Sequence, residues 1–286
     1  MVWQIRGRSF PSERTLIMAI LNVTPDSFSD GGNYFAPEKA VEKALELQNF
    51  GADILDLGAE STRPGAEEIS EAEELNRLIP VLEQILAKAK INIPISIDTT
   101  KAAVAEVCLK KGAHIINDVS GLEISGERMA KVVKDYGAGL ILMHRRGTPQ
   151  TMQDLTQYQN VTEDVLAELE IILEKAREWG IDERQIVVDP GFGFSKTAEQ
   201  NLELLANFEK INRLGRPVLA GVSRKSFLGL LTGKPAPERD WATASASAIA
   251  VQKGAAIVRV HEPSGMQDVV RVAEACRNLD SLRLSS

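Results

Sequence analysis

A chain of 286 residues, 44% hydrophobic and 26% charged, carries enough apolar mass for a sizeable core. Its formal net charge of −7 argues against nucleic acid as the main partner, yet leaves room for local basic sites that hold a small anion. The two cysteines and three histidines show no zinc-ligand spacing, and no segment reads as a signal peptide or approaches membrane-spanning length. A soluble cytoplasmic protein is expected, with Cys108 and Cys276 as packing residues of a reducing compartment rather than a disulfide.

From Thr15 nearly to the end, short runs rich in Ile, Leu and Val alternate with longer helical patterns. Strands are predicted at 16–21, 53–57, 93–97, 114–116, 139–143, 185–188, 217–221 and 256–260. They are almost continuously apolar, as parallel strands buried on both faces are. Ser70 and Glu73 predict a capping box before the helix that carries Leu75, Leu78 and Leu82. Gly51, Gly112, Gly137 and Gly180 each close a helical stretch, where a left-handed turn favours glycine. Val165, Leu169, Ile172, Leu173 and Ala176 put one apolar stripe on a further helix. About eight strand–helix units without a linker or composition break predict an α/β fold. The expected form is a single (β/α)8 TIM barrel over residues 1–286, with long loops after the first and second strands. No Gly-x-Gly-x-x-Gly follows the first strand, which counts against a dinucleotide-binding open sheet.

Barrel chemistry sits at the carboxyl ends of the strands. The apolar runs stop in turn at Asn22, Glu60-Ser61-Thr62-Arg63, Asp98, Asn117-Asp118, His144-Arg145-Arg146, Asp189, Ser223-Arg224-Lys225-Ser226 and Arg259-Val260-His261. Singly, each Asn or Asp fits a turn or helix cap. Together they define one rim with two chemistries. Asp98, Asn117 and Asp189 suit the edge of a flat nitrogen heterocycle, whereas Arg63, Arg259 and His261 suit a phosphate or diphosphate. Arg259 has a second reading, an ion pair inside the barrel. Lys225 has one too, since a lysine at a strand end can form a Schiff base. The loops at 22–32 and 60–66, rich in Pro, Gly and small polar residues, suit lids.

The same residues carry a family resemblance. Residues 20–32 (ILNVTPDSFSDGG) and 53–65 (DILDLGAESTRPG) resemble the first two signatures of the dihydropteroate synthases. Similar matches are Ser96-Ile97-Asp98-Thr99, Ile116-Asn117-Asp118-Val119, Asp189-Pro190-Gly191-Phe192, Gly221-Val222-Ser223-Arg224-Lys225-Ser226 and Arg259-Val260-His261. The resemblance implies condensation of 6-hydroxymethyl-7,8-dihydropterin diphosphate with p-aminobenzoate, releasing pyrophosphate. It implies that Asp98, Asn117, Asp189 and Lys225 hold the pterin, with Met143 and Phe194 as walls. Asn22 would bind a Mg²⁺ on the diphosphate, which Arg63, Arg259 and His261 contact. Phe28, Thr62 and Pro64 would cover p-aminobenzoate, with Ser226 near its carboxylate, and Thr62 also faces the pterin diphosphate. The family also implies a homodimer and a sulfonamide target.

The sequence departs from the family pattern in a few places. Ser195 stands where Gly is usual, Gln200 where His is common, and Glu262-Pro263 where Asp-Val is usual. Arg145-Arg146-Gly147 follows His144, where a smaller or uncharged residue is typical. Two competing readings are a methyltetrahydrofolate-dependent methyltransferase and a non-catalytic pterin-binding paralogue. Neither needs both the anion cluster and the long first loop.

Overall fold

The computed structural model describes residues 3–10, 14–24, 37–87 and 91–279. The chain starts with a hairpin, β1 (Trp3–Ile5) and β2 (Arg8–Phe10), which the sequence pattern does not announce. Its turn residues Arg6 and Gly7 both have positive φ, the twist that matches paired antiparallel strands. Then follow β3 (Leu16–Asn22), α1 (Pro37–Asn49), β4 (Ile54–Gly58), α2 (Glu71–Ala87), β5 (Ile95–Asp98), α3 (Ala102–Lys111) and β6 (Ile115–Asp118). The chain continues through α4 (Gly126–Tyr136), β7 (Gly139–Met143), α5 (Val161–Glu178), β8 (Ile186–Asp189), α6 (Ala198–Ala206) and β9 (Leu219–Ala220). It ends with α7 (Ser226–Thr232), α8 (Asp240–Gln252), β10 (Ile257–Val260) and α9 (Met266–Arg277).

All eight predicted strands form, and all pair in parallel in the order β8-β7-β6-β5-β4-β3-β10-β9. A single parallel bridge, Val188 to Val218, joins β8 to β9 and closes the sheet on itself. The expected (β/α)8 barrel is therefore the fold. Consecutive strands are neighbours because each returning helix packs its apolar stripe on the sheet: Val165, Leu169, Leu173 and Ala176 of α5 are all buried.

The hairpin plugs the bottom of the barrel. Trp3 and Ile5 pack with inward-facing Met18, Ile54, Ile141 and Val187, and Trp3 Nε1 donates to the Gln185 carbonyl at 2.7 Å. Gly139 is required at this floor, because a Cβ there would sit 2.9 Å from the Trp3 ring.

Two local expectations meet different outcomes. Gly51, Gly112, Gly137 and Gly180 all take positive φ after their helices. The box at Ser70 forms by half: Glu73 N donates to Ser70 Oγ at 3.2 Å, but the Glu73 carboxylate takes Arg77 instead, at 2.8 Å. The complete box lies at α6, where Thr197 and Gln200 cap each other. Gln200 Nε2 also reaches the Thr156 carbonyl at 2.8 Å, so glutamine at this position ties α6 to the segment before α5.

Candidate active site

Strand register puts the polar strand ends in one layer. Asn22 pairs with Gly58, Gly58 with Asp98, and Asp98 with Asn117 around the rim. Farther round, Met143 pairs with Asp189. The expected convergence of these residues is what the ladder produces, because parallel strands in register bring equivalent ends to equal height.

Beneath this layer lies a residue to which the sequence reading assigned no role. Asp56, in the middle of β4 and fully buried, accepts Arg259 Nε at 2.7 Å and Asn117 Nδ2 at 3.0 Å on one oxygen. Its other oxygen has no partner. Arg259 Nη2 donates to Asp98 at 2.8 Å. A carboxylate inside an otherwise apolar strand was the available signal for Asp56.

The ion-pair reading of Arg259 is thus realised, and its guanidinium ties Asp98 to Asp56 across the barrel. Against its own burial, the two carboxylates raise the Arg259 pKa. Burial pushes Asp98 up to about 7, with Arg259 opposing the shift. The bond from Asn117 Nδ2 fixes its amide with Oδ1 left for a donor from a ligand.

Asp189 is buried, and its Oδ1 accepts the Gly191 amide at 2.8 Å. Burial raises its pKa, with the Gly191 amide and Lys225 working against the rise. Lys225 precedes α7, its amine 4.1 Å above the Phe194 ring. Burial, then Arg259, brings the amine down to about 8. Gly193 makes room for this lysine, since a Cβ there would stand 3.0 Å from Lys225 Cδ. Met143 and Phe194 are buried together with Val119 and Met152 in an apolar wall.

His261 follows β10, where burial and then the Arg259 charge lower its pKa to about 3. It is neutral at pH 7 and acts through a hydrogen bond. Ser223 Oγ accepts the His261 amide at 3.1 Å and lies 3.0 Å from Nδ1. The pose of His261 therefore depends on Ser223, while Glu262 turns away to cap the Ser264 amide at 3.0 Å.

The two strand-end segments His144-Arg145-Arg146 and Ser223-Arg224-Lys225 divide their work. Arg224 is spent on Asp240, at 2.7 and 2.9 Å. Arg146 grips Glu168 and covers the Tyr158 ring at 3.8 Å. His144 faces outward: Nε2 meets Glu168 at 2.9 Å and Nδ1 meets the amine of Lys196 at 3.0 Å. The lysine also donates to the carbonyls of Gly191 and Phe194, at 3.0 and 3.1 Å. Burial, then the Lys196 charge, lowers His144 to about 4, and burial lowers Lys196 to about 7. This network stitches the loop bearing Phe194 to the end of β7. Ser195 in that loop has φ of +53°, the region where glycine is at ease, and exchanges two hydrogen bonds with the Arg146 backbone at 2.7 and 2.9 Å. Asp118 takes the turn reading, accepting from Ser120 and the Leu122 amide.

The loop after β4 crosses the mouth. Its near end is anchored by Glu60, which takes Lys101 at 2.7 Å, while Lys101 also holds buried Glu74 at 2.8 Å. Its far end docks on the loop after β7, with Gly65 N to Pro149 O at 2.9 Å and Gln150 Nε2 to Ala66 O at 2.7 Å. Thr62 is half-buried on this strap, and Arg63 and Pro64 are exposed. Ser226 opens α7 and is exposed. Phe28 lies outside the described residues.

Asn22 is half-buried beside Asp98. The absent Cβ of Gly58 leaves the gap between them, 3.8 Å from Asn22 Oδ1 and 3.7 Å from Asp98 Oδ2. Among the described residues no group of three His, Cys, Asp or Glu could hold a metal ion. The donor set suits a magnesium ion that arrives on a diphosphate and takes one amide oxygen from the protein, since Mg²⁺ keeps water and phosphate as most of its ligands.

Comparison with known proteins agrees with this architecture. The family model described as pterin binding enzyme matches residues 18–261. A dihydropteroate synthase of Synechocystis is 46% identical over 264 residues, 92% of this chain and 90% of its own. One of Bacillus subtilis is 43% identical over 270 residues, 94% and 89% of the two chains. Among solved structures, the Yersinia pestis dihydropteroate synthase in a sulfonamide drug complex superposes with a TM-score of 0.89 at 38% identity, covering 97% of this chain and 100% of that one. The Xanthomonas albilineans enzyme in complex with 7,8-dihydropteroate gives 0.83 at 37% identity, covering 95% and 98%. With such identity across nearly its whole length, the chain belongs to the pterin binding enzyme family, among its dihydropteroate synthases.

Proposed function

We propose that the strand-end layer binds 6-hydroxymethyl-7,8-dihydropterin diphosphate and that p-aminobenzoate attacks it from under the β4 loop. The observation that carries this assignment is the grouping of Asp98, Asn117, Asp189 and Lys225 around one apolar wall. Asp189 accepts N–H groups from one pterin edge, Asn117 and Asp98 address the other polar atoms, and Lys225 donates to an acceptor. Met143 and Phe194 wall the flat ring.

The exocyclic C–O bond breaks with its electron pair leaving on the diphosphate. The dihydropterin shares the positive charge left on the methylene. The aryl amine lone pair then forms the C–N bond, and its proton passes to water. An aryl amine is uncharged at pH 7, so no strong general base is needed. Arg63, the free edge of Arg259 and a hydrogen bond from neutral His261 stabilise the leaving anion. Mg²⁺ held in part by Asn22 supplies further charge neutralisation when bound. Thr62, Pro64, Phe28 and Ser226 enclose p-aminobenzoate, and sulfonamides would compete there.

Two further assignments belong to the same reading. Leu230 and Leu231 of α7, Trp241 of α8 and Val272 of α9 are 62–83% exposed, an apolar surface that suits a homodimer. Both cysteines are free, which fits the cytoplasm, and no described helix is long and apolar enough to cross a membrane.

The test is pyrophosphate release from the dihydropterin diphosphate with Mg²⁺, with and without p-aminobenzoate, in the wild type and Asp189→Ala. Release that depends on p-aminobenzoate and disappears in the variant supports the assignment. Pterin binding without release in the wild type overturns it.

A further inference from the structure

Glu60 closes the neck of the β4 loop. Its Oε1 accepts the Ile69 amide at 2.8 Å, so residues 60 and 69 meet across one carboxylate. Its Oε2 accepts the Lys101 amine at 2.7 Å, and the same amine donates to Glu74 at 2.8 Å. Glu74 is fully buried in α2 and Lys101 is 7% exposed, so the second carboxylate fixes the ammonium from within the fold.

Core packing does not set the height of this strap. None of residues 61–70 is buried, so no apolar contact registers the loop against the barrel from inside. A cavity of about 410 Å³ adjoins the neck, lined by Ile69, Ser70 and Lys101 and by Ile124, Ser125 and Arg128 at the start of α4. On that side the strap meets open space rather than a wall. Directed polar contacts hold it instead: the Glu60 clamp at the neck, and the Gly65–Pro149 and Ala66–Gln150 bonds at the tip. A hydrogen-bonded ion pair fixes direction as well as distance.

Lys101 is also tied to the pocket. It stands three residues after Asp98, the polar end of β5, and takes the N-cap position of α3. Its amide donates to Thr99 Oγ1 at 3.2 Å, and residues 98–101 are all buried. The lysine thus joins a short, rigid piece of the rim to the neck of the strap.

We propose that Lys101 is a positioning residue for the condensation: acting through Glu60, it sets Thr62, Arg63 and Pro64 against the strand end that carries Asp98. This rests on the reaction proposed above, in which Lys101 touches no substrate. Groups assigned to the aryl amine and the diphosphate ride on the strap. Those assigned to the pterin ring, Asp98, Asn117, Asp189 and Lys225, do not. Misplacing such a group by about 1 Å can cost about a hundredfold in rate.

The deciding variant is Glu60→Gln. It keeps an oxygen for the Ile69 amide, turns the atom facing Lys101 into a donor, and leaves the lysine charge paired with Glu74. Lys101→Met, which leaves Glu74 without its cation, is the companion. Pyrophosphate release is followed against p-aminobenzoate, 6-hydroxymethylpterin binding by calorimetry, and hydrogen exchange over residues 61–69 by mass spectrometry. In Glu60→Gln, kcat/KM for p-aminobenzoate should fall about 10- to 100-fold and the pterin constant should stay within about twofold. Exchange over the strap should quicken. Lys101→Met should show the same pattern with a lower thermal midpoint. Wild-type kcat/KM in Glu60→Gln overturns the proposal even if Lys101→Met unfolds, because the lysine would then serve the fold alone. An equal loss of pterin affinity overturns it too, since the pocket rather than the strap would have moved. No release in the wild type overturns the condensation and this proposal with it, a result distinct from release that Glu60→Gln leaves intact.

Discussion

Asp56 and Arg259 are separated by 203 positions in the chain and by 2.7 Å in the barrel, where Asp56 also holds Asn117. One buried carboxylate oxygen thus orients both Arg259, proposed to face the anion, and the Asn117 amide, proposed to face the pterin. Asp56 touches no substrate in the proposed mechanism and acts through these two side chains.

Replacing Asp56 with Asn should therefore lower stability and weaken pterin diphosphate binding together. Removing one partner of a buried ion pair costs about 3–5 kcal/mol, and here Asp98 retains part of the Arg259 charge, so the lower end is expected. Urea denaturation and the KM for the pterin diphosphate check it. Unchanged stability would mean that Asp56 and Arg259 are coupled only weakly.

Lys196 donates to Gly191 O, Phe194 O and His144 Nδ1. Lys196→Met leaves those three acceptors without their donor, at about 1–3 kcal/mol for each one that stays dry. The loop bearing Phe194 should loosen, raising the KM for the pterin about tenfold or more with little change in the KM for p-aminobenzoate. Steady-state kinetics in both substrates separates this from a general loss of folding.

The buried histidines set a pH dependence of stability. His144 and His261 titrate near 4 and 3 in the folded chain, each lowered chiefly by burial from an ordinary value of 6.5. Below pH 6.5 the unfolded chain binds more protons at these sites, so their contribution to stability is lost as pH falls toward 4 and then 3. Asp98 opposes this: its pKa, raised to about 7, favours the folded chain as pH falls from 7 to 4. His261→Asn should remove up to one proton from the slope, about 1.4 kcal/mol per pH unit. Denaturation from pH 7 to 4 measures it, and an unaltered slope would place the titration elsewhere.

Ser195 tests the balance between backbone strain and hydrogen bonding. A left-handed conformation costs a non-glycine residue about 1–2 kcal/mol, and the serine offsets this with its two bonds to Arg146. Ser195→Ala keeps the strain and loses the bonds, so it should lower the thermal midpoint more than Ser195→Gly does. The reverse order would show that φ at this position relaxes freely.

If the exposed surface of α7, α8 and α9 joins two copies, Trp241→Glu should halve the mass seen by light scattering while the far-ultraviolet spectrum stays unchanged. A wild-type monomer at micromolar concentration would exclude the homodimer.

Much of the rim is legible in the sequence alone. Apolar runs that end in Asn22, Asp98, Asn117 and Asp189 state their own strand ends, because a parallel barrel buries both faces of each strand and reserves its carboxyl edge for polar groups. The alternation of strands and helices determined the barrel, and the residue types at the rim pointed to a polar heterocycle and an anion as ligands. The hairpin at Trp3 was not legible, since its two three-residue strands carry no periodicity and its packing partners lie far along the chain. Only the tertiary structure decided how the charges are spent. It paired Arg259 with Asp56 and Asp98, turned His144 to Lys196 and Glu168, and lowered the His261 pKa to about 3 through burial. Those outcomes depend on burial and on distances between residues remote in sequence, and electrostatic energy in a desolvated pocket varies too steeply with both for any one-dimensional pattern to carry it.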